Sequence, residues 1–264
     1  MGDRVLIVEH EAEAGLGFLA GWLAGGGVTC EVVRPYLGEE VPVLDDGPPA
    51  SGFPAGLIVL GGAASAWDDE GYPWLPATRE LIRRAVDASL PTLGICLGAQ
   101  LMTLACGGEV KPGTAGLEVG LGAVSLLPAA ADDPLFARLP PAVRAVQYHQ
   151  DAMTALPPGA VPLATATAYP AQAYRLGGRA WAVQFHPEAT PEIFRSWTAP
   201  NAGELAAAGF DVERLDAAVT AADDELAGTW RPFAEAFAAV VTGGPTPATD
   251  DRTPAEAASP ATGA

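Results

Sequence analysis

Positive charge is scarce in this chain. Lys and Arg number 14 against 32 Asp and Glu, a formal net charge of -18 over 264 residues. Affinity for nucleic acid or anionic lipid rests mainly on Lys and Arg, so neither partner is expected. Cysteine is also sparse. Cys30, Cys96 and Cys106 stand far apart, an odd number that makes no disulfide framework and holds no CxxC pair for zinc. No apolar run is long enough to span a bilayer. The opening MGDRVLIVEH has too short an apolar run for a secretory signal. A reducing cytoplasm is the expected compartment. The glycine-rich AGGGV (24–28) and LGGAAS (60–65) lack the spacing and lysine of a phosphate loop. No nucleotide, metal or other cofactor is therefore expected.

What is present is apolar sequence in short, punctuated runs. At 49% hydrophobic and 17% charged residues the chain can bury a sizeable core. RVLIVE (4–9), TCEVVR (29–34), GLIVLGG (56–62) and PTLGI (91–95) read as buried strands. AEAGLGFLAGWLAGG (12–26), WLPATRELIRRAVDASL (74–90) and GAQLMTLAC (98–106) read as helices. Strands alternating with helices predict a mostly parallel sheet covered on both faces, a three-layer α/β fold. Further on, GLEVGLGAVSLLP, AVRAVQYHQD, AVPLATA, QAYRL and AWAVQF read as short strands. They are expected to extend the same sheet in antiparallel fashion. After Pro191 the chain turns helical, with Trp230, Phe233, Phe237, Val240 and Val241 on one face. One domain is expected over residues 1–242. Residues 243–264, rich in Pro, Ala and Thr, are expected to be a disordered tail.

The chemistry-bearing stretch is PTLGICLGAQLM (91–102). Gly94-x-Cys96-x-Gly98 places a cysteine between a strand and a helix, with small residues where the chain must turn sharply. This is the nucleophile-elbow arrangement written with cysteine in place of serine. The following helix N-terminus favours thiolate over thiol and offers the Leu97 amide to a developing oxyanion. A base is then required, and the chain holds His10, His149 and His186. His186 lies at the end of an apolar strand in AVQFHPEAT, with Glu188 two residues later. A cysteine–histidine pair gains an activated thiolate, and a carboxylate on the far ring nitrogen fixes the tautomer.

Together, GICLGAQ and the later QFHPE resemble the class I glutamine amidotransferases, most closely their stand-alone, GMP-synthase-like members. The resemblance runs from about residue 5 to residue 194 and takes in Gly61–Gly62, DDEGYPWL, GGEVKPG and YHQD. It implies a flavodoxin-like class I amidotransferase fold and a triad of Cys96, His186 and Glu188. Cys96 would attack the γ-carboxamide of glutamine and form a γ-glutamyl thioester. His186 would protonate the leaving ammonia and then activate water, and Glu188 would orient His186. The resemblance also implies an oxyanion hole of the Gly62 and Leu97 amides. Gln100, Gly61, His149 and Gln150 would border the substrate. Two positions depart from the family pattern: Ala63 where many relatives carry proline, and Gln150 where relatives often carry glycine.

Other residues have plainer expectations. Cys30 and Cys106 are expected as core packing, His10 as a satisfied surface histidine, and Trp67, Tyr72 and Trp74 as aromatic packing. The expected function is that of an amidotransferase subunit releasing ammonia for a separate synthetase. A free-standing γ-glutamyl hydrolase or peptidase is the alternative. A DJ-1-like cysteine protein fits less well, since Leu97 rather than histidine follows the cysteine and HPE would go unexplained. A non-catalytic subunit fits poorly with an intact triad.

Overall fold

The computed structural model describes residues 3–44 and 54–244. In chain order the elements are β1 (Asp3–Val8), α1 (Gly17–Gly25), β2 (Val28–Val33), β3 (Gly56–Val59), α2 (Leu75–Asp87), β4 (Thr92–Ile95) and α3 (Leu97–Ala105). Then come β5 (Glu109–Pro112), β6 (Glu118–Leu126), β7 (Ala142–His149), β8 (Asp151–Ala155), β9 (Val161–Thr165), β10 (Ala173–Leu176) and β11 (Ala180–Val183). Four helices close the chain: α4 (Pro191–Thr198), α5 (Ala202–Ala207), α6 (Val212–Ala221) and α7 (Asp223–Thr242).

A nine-stranded sheet runs in the order β2-β1-β3-β4-β11-β10-β9-β6-β7. From β2 to β11 the pairings are parallel, and from β11 to β7 they are antiparallel. The period-2 alternation of buried strand residues divides the core in two. Val5, Ile7, Ile58, Leu93 and Ile95 face α1 and α7, where they meet Leu19, Leu23, Trp230, Phe233 and Phe237. Leu6, Val8, Leu57 and Val59 face the other way, toward Leu81, Ile82 and Ala85 of α2 and Leu101 and Met102 of α3. The result is the three-layer α/β fold that the alternating runs predict. On α7, Trp230, Phe233, Phe237 and Val241 are buried, and Val240 is half-buried.

Three expectations are revised. AWAVQF is not part of the antiparallel extension: β11 is the fifth parallel strand, pairing with β4 through Ala182↔Gly94 and Val183↔Ile95. The antiparallel part begins one strand later, because the short turn after β10 reverses the chain into β11. α1 starts at Gly17 and not at residue 12. Gly17 has φ +45, and a Cβ there would collide with the Glu188 carbonyl oxygen. The Phe18 amide donates to that carbonyl at 3.0 Å. Residues 11–16 are thereby released from the helix and turned toward the sheet edge. A small second sheet, β5 with β8, forms from GGEVKPG and the chain after His149. α7 ends on Gly243 in the left-handed region. The expected tail lies outside the described residues beyond 244.

Candidate active site

The parallel pairing of β4 with β11 sets up the site. Cys96 follows β4, and His186 follows β11 by a short loop. Residues far apart in sequence therefore leave neighbouring strands at the same carboxyl edge, where α/β sheets build sites.

Cys96 sits between β4 and α3 at φ 50, ψ -105, a conformation that L-residues rarely adopt. Its amide donates to Val183 O at 2.8 Å, and its carbonyl accepts from the Gln100 amide at 3.0 Å. These two bonds tie the strained residue to β11 and α3. The flanking glycines are required by contact. A Cβ on Gly94 would lie 2.6 Å from Gly98 O, and one on Gly98 would run into Val59 O. The elbow thus packs backbone on backbone, and only glycine fits.

His186 and Glu188 are both buried, and His186 Nδ1 meets Glu188 Oε1 at 2.7 Å. Among the described residues, Glu188 Oε2 has no hydrogen-bond partner. With its other oxygen unpaired, the carboxylate depends on His186 for compensation. Burial alone would lower the pKa of His186, but the charges of Glu188 and Cys96 and hydrogen bonds to both outweigh it and raise it from 6.5 to about 10. The Trp197 ring lies against the imidazole, centroids 4.6 Å apart. The Trp197 indole N–H donates to Glu13 O at 2.9 Å, which pins the ring.

A cavity of about 730 Å³ opens over the thiol, a volume suited to a drug-sized ligand. Cys96, His186, Gly62, Gln100, His149 and Gln150 all line it. Leu97, Gly61 and Glu188 stand behind the wall. A Cβ on Gly61 would lie 2.9 Å from His186 Cε1, so the Gly-Gly loop runs directly against the imidazole. Among the described residues, no backbone carbonyl accepts from the amides of Gly62 or Leu97. At Ala63 the chain keeps an N–H that proline lacks, and Glu11 Oε2 accepts it at 3.1 Å. Burial, the largest influence, raises the Glu11 pKa. The exposed side chain of Gln150 stands on the cavity wall, while its carbonyl accepts from the Gly113 amide at 2.8 Å.

His149 has both ring nitrogens engaged, with Asp151 O at 3.0 Å and Glu118 Oε2 at 3.1 Å. It borders the cavity and holds two chain segments together. His10 departs from expectation. It is buried, and Nδ1 accepts the Trp74 indole N–H at 3.0 Å. Burial lowers its pKa from 6.5 to about 4. It packs behind Gly62, where a Cβ would lie 2.9 Å from His10 Cβ. Trp74 therefore holds a histidine, while Tyr72 packs edge-on against Trp74 and Trp67 is exposed. Cys30 and Cys106 are half-buried, and burial raises the pKa of both thiols.

Three site residues escape the sequence reading. Gln184 is buried and donates to Cys96 Sγ at 3.6 Å. Its one sequence signal is a polar residue inside the apolar run AWAVQF. Trp197 and Glu11 carry no signal, since their contacts come from distant parts of the chain. Among the described residues, no group of three or more His, Cys, Asp or Glu is placed to hold a metal ion. No described helix is long and apolar enough to cross a membrane.

Comparison with known proteins gives a consistent picture. The family model for glutamine amidotransferase class-I matches residues 25–199. The chain is 32% identical over 206 residues to the glutamine amidotransferase-like protein YfeJ of Salmonella typhimurium, covering 77% of this chain and 83% of that protein. It is 36% identical over 139 residues to a GMP synthase (glutamine-hydrolyzing) of Thermomicrobium roseum, covering 51% of this chain and only 23% of that one. With gamma-glutamyl peptidase 4 of Arabidopsis thaliana it shares 29% identity, covering 52% of this chain and 55% of the peptidase. The crystal structure of a Thermotoga maritima glutamine amidotransferase superposes with a TM-score of 0.79 at 25% identity, covering 90% of this chain and 99% of that one.

Proposed function

The chain belongs to the class-I glutamine amidotransferase family, and from that premise we propose that it hydrolyses the side-chain amide of glutamine through Cys96, His186 and Glu188. The observation that carries this reading is that the Cys96 elbow and His186 line one cavity, with Glu188 buried behind His186 and bonded to its Nδ1.

The Cys96 thiolate attacks the γ-carbonyl carbon, and the carbonyl oxygen takes the charge. The amides of Gly62 and Leu97 receive that oxyanion, supported by their having no backbone acceptor among the described residues. His186, held as imidazolium by Glu188, gives its proton to the departing nitrogen, and ammonia leaves. The neutral imidazole then takes a proton from water, which attacks the γ-glutamyl thioester. Glutamate departs and the thiolate returns. Gln100, His149, Gln150 and the Gly61 loop border the substrate. No metal or cofactor enters any step. We assign the domain to residues 1–242 and its workplace to the cytoplasm, where three free thiols suit a reducing medium.

The ammonia passes to a separate synthetase in this reading, supported by the GMP synthase relative, of which the matched part is a minor share. The likeness to gamma-glutamyl peptidase 4 favours a second reading. A cavity larger than free glutamine needs, with Gln150 on its wall, leaves room for a γ-glutamyl compound with a bigger leaving group. Assays on glutamine and on a γ-glutamyl peptide panel separate the two. Weak glutaminase activity that a synthetase stimulates supports the subunit role. Full activity alone on a γ-glutamyl peptide supports the peptidase role. Hydrolysis of neither overturns both.

A further inference from the structure

Gln184 lies outside the triad and outside the lining of the main cavity, yet its side chain reaches the sulfur. Its Nε2 stands 3.6 Å from Cys96 Sγ, a contact distance suited to the large radius of sulfur. An amide can point either its oxygen or its nitrogen at a neighbour, so the orientation needs a cause. Here a chain of bonds supplies it. The backbone carbonyl of Asp151 can only accept, and Gln100 Nε2 donates to it at 3.1 Å. The same Nε2 donates to Gln184 Oε1 at 3.2 Å. With its oxygen committed to Gln100, Gln184 must turn its NH2 group toward Cys96. All three side chains are buried, with Cys96 and Gln100 bordering the main cavity and Gln184 a second one of about 340 Å³, and burial strengthens the bonds between them.

We infer that Gln184 is a catalytic residue, an N–H donor that holds the Cys96 thiolate, and that Gln100 and the Asp151 carbonyl fix its orientation. This rests on the proposed role of Cys96 as nucleophile. A donor beside sulfur favours thiolate over thiol and aims the lone pairs that attack. The relay also revises what Gln100 offers a substrate. Its NH2 group serves Asp151 and Gln184, so toward the cavity it presents its carbonyl oxygen, an acceptor for a substrate N–H.

The test uses the full chain and two variants. Gln184→Met keeps the volume and removes the donor. Gln184→Glu keeps an acceptor for Gln100 but offers the sulfur no N–H when ionised. The rate of Cys96 alkylation by iodoacetamide is followed against pH by mass spectrometry, beside kcat and KM for glutamine. Expected is an alkylation curve displaced to higher pH in both variants, with the neutral-pH rate down about tenfold, the scale of one charge-assisted hydrogen bond. kcat should fall in parallel in both variants, with KM nearly unchanged in Gln184→Glu, which keeps the acceptor that orients Gln100. An alkylation curve identical to wild type in whichever variants keep the wild-type unfolding midpoint overturns the inference. If wild-type Cys96 resists a glutamine-like chloroketone, the proposed function fails instead, and the alkylation comparison still reports on Gln184.

Discussion

Two buried histidines stand at the carboxyl edge of the same sheet, His10 after β1 and His186 after β11. Their surroundings make them chemical opposites. His10 Nδ1 accepts an indole N–H from Trp74 and meets no carboxylate there, so burial prevails and the ring is held neutral. His186 Nδ1 faces a carboxylate and the ring neighbours a thiol, so the charged form prevails in spite of burial. The hydrogen-bond partner of one ring nitrogen decides whether a buried imidazole supports a loop or moves protons. One histidine backs the Gly62 loop, and the other is poised as an acid.

The largest expected effect removes what His186 serves. Cys96→Ala should cut glutamine turnover by about a thousandfold or more, read as ammonia release. Next, Glu188→Gln makes His186 resemble His10 by taking away its counter-charge. A loss of about a hundredfold in kcat is expected. Because Glu188 raises the His186 pKa, its removal lowers it. The alkaline limb of the kcat/KM profile should then move to lower pH, and an unmoved limb would show that Glu188 acts by geometry alone.

Trp197→Leu weakens the same contrast more gently. It strips the ring from the imidazole face and leaves Glu13 O without its indole donor. A two- to fivefold drop in kcat is expected, the scale of one cation–π contact, with a small shift of the alkaline limb in the same direction.

The smallest effect falls on stability. His10 binds its proton only below about 4 when folded but below 6.5 when unfolded. Between those values the unfolded chain holds more protons, so stability from this group falls as pH falls, by up to about 1.4 kcal/mol per unit. His186 has the opposite sign. Its contribution is complete below 6.5 and fades as pH rises toward about 10. Denaturant unfolding of His10→Met should show a flatter acid-side slope than wild type. An unchanged slope would mean that His10 is not the neutral, buried group described.

The comparison also explains what the sequence discloses. Gly94-x-Cys96-x-Gly98 is legible because the elbow is local: Gly94 and Gly98 touch across one turn. His186 and Glu188 are legible because they share a loop at a strand end. The burial of His10 is not, since Trp74 comes from the start of α2, far along the chain from the loop that holds His10. The direction of β11 is not legible either, because parallel pairing with β4 is a long-range choice that AWAVQF does not encode by itself. The same holds for Gln184, whose partners Gln100 and Cys96 belong to α3 and its elbow. Local turns can be read from residue types, whereas neighbours across the sheet need the fold.

Covalent capture of the nucleophile tests the central claim most directly. The wild-type chain is treated with a glutamine-like chloroketone, with and without excess glutamine, and the adduct is mapped by mass spectrometry. The account predicts one thioether adduct on Cys96, formed as chloride leaves, suppressed by glutamine, absent from Cys96→Ala and slowed in Glu188→Gln. Labelling at Cys30 or Cys106 in place of Cys96, or no labelling while glutamine is still hydrolysed, would contradict it.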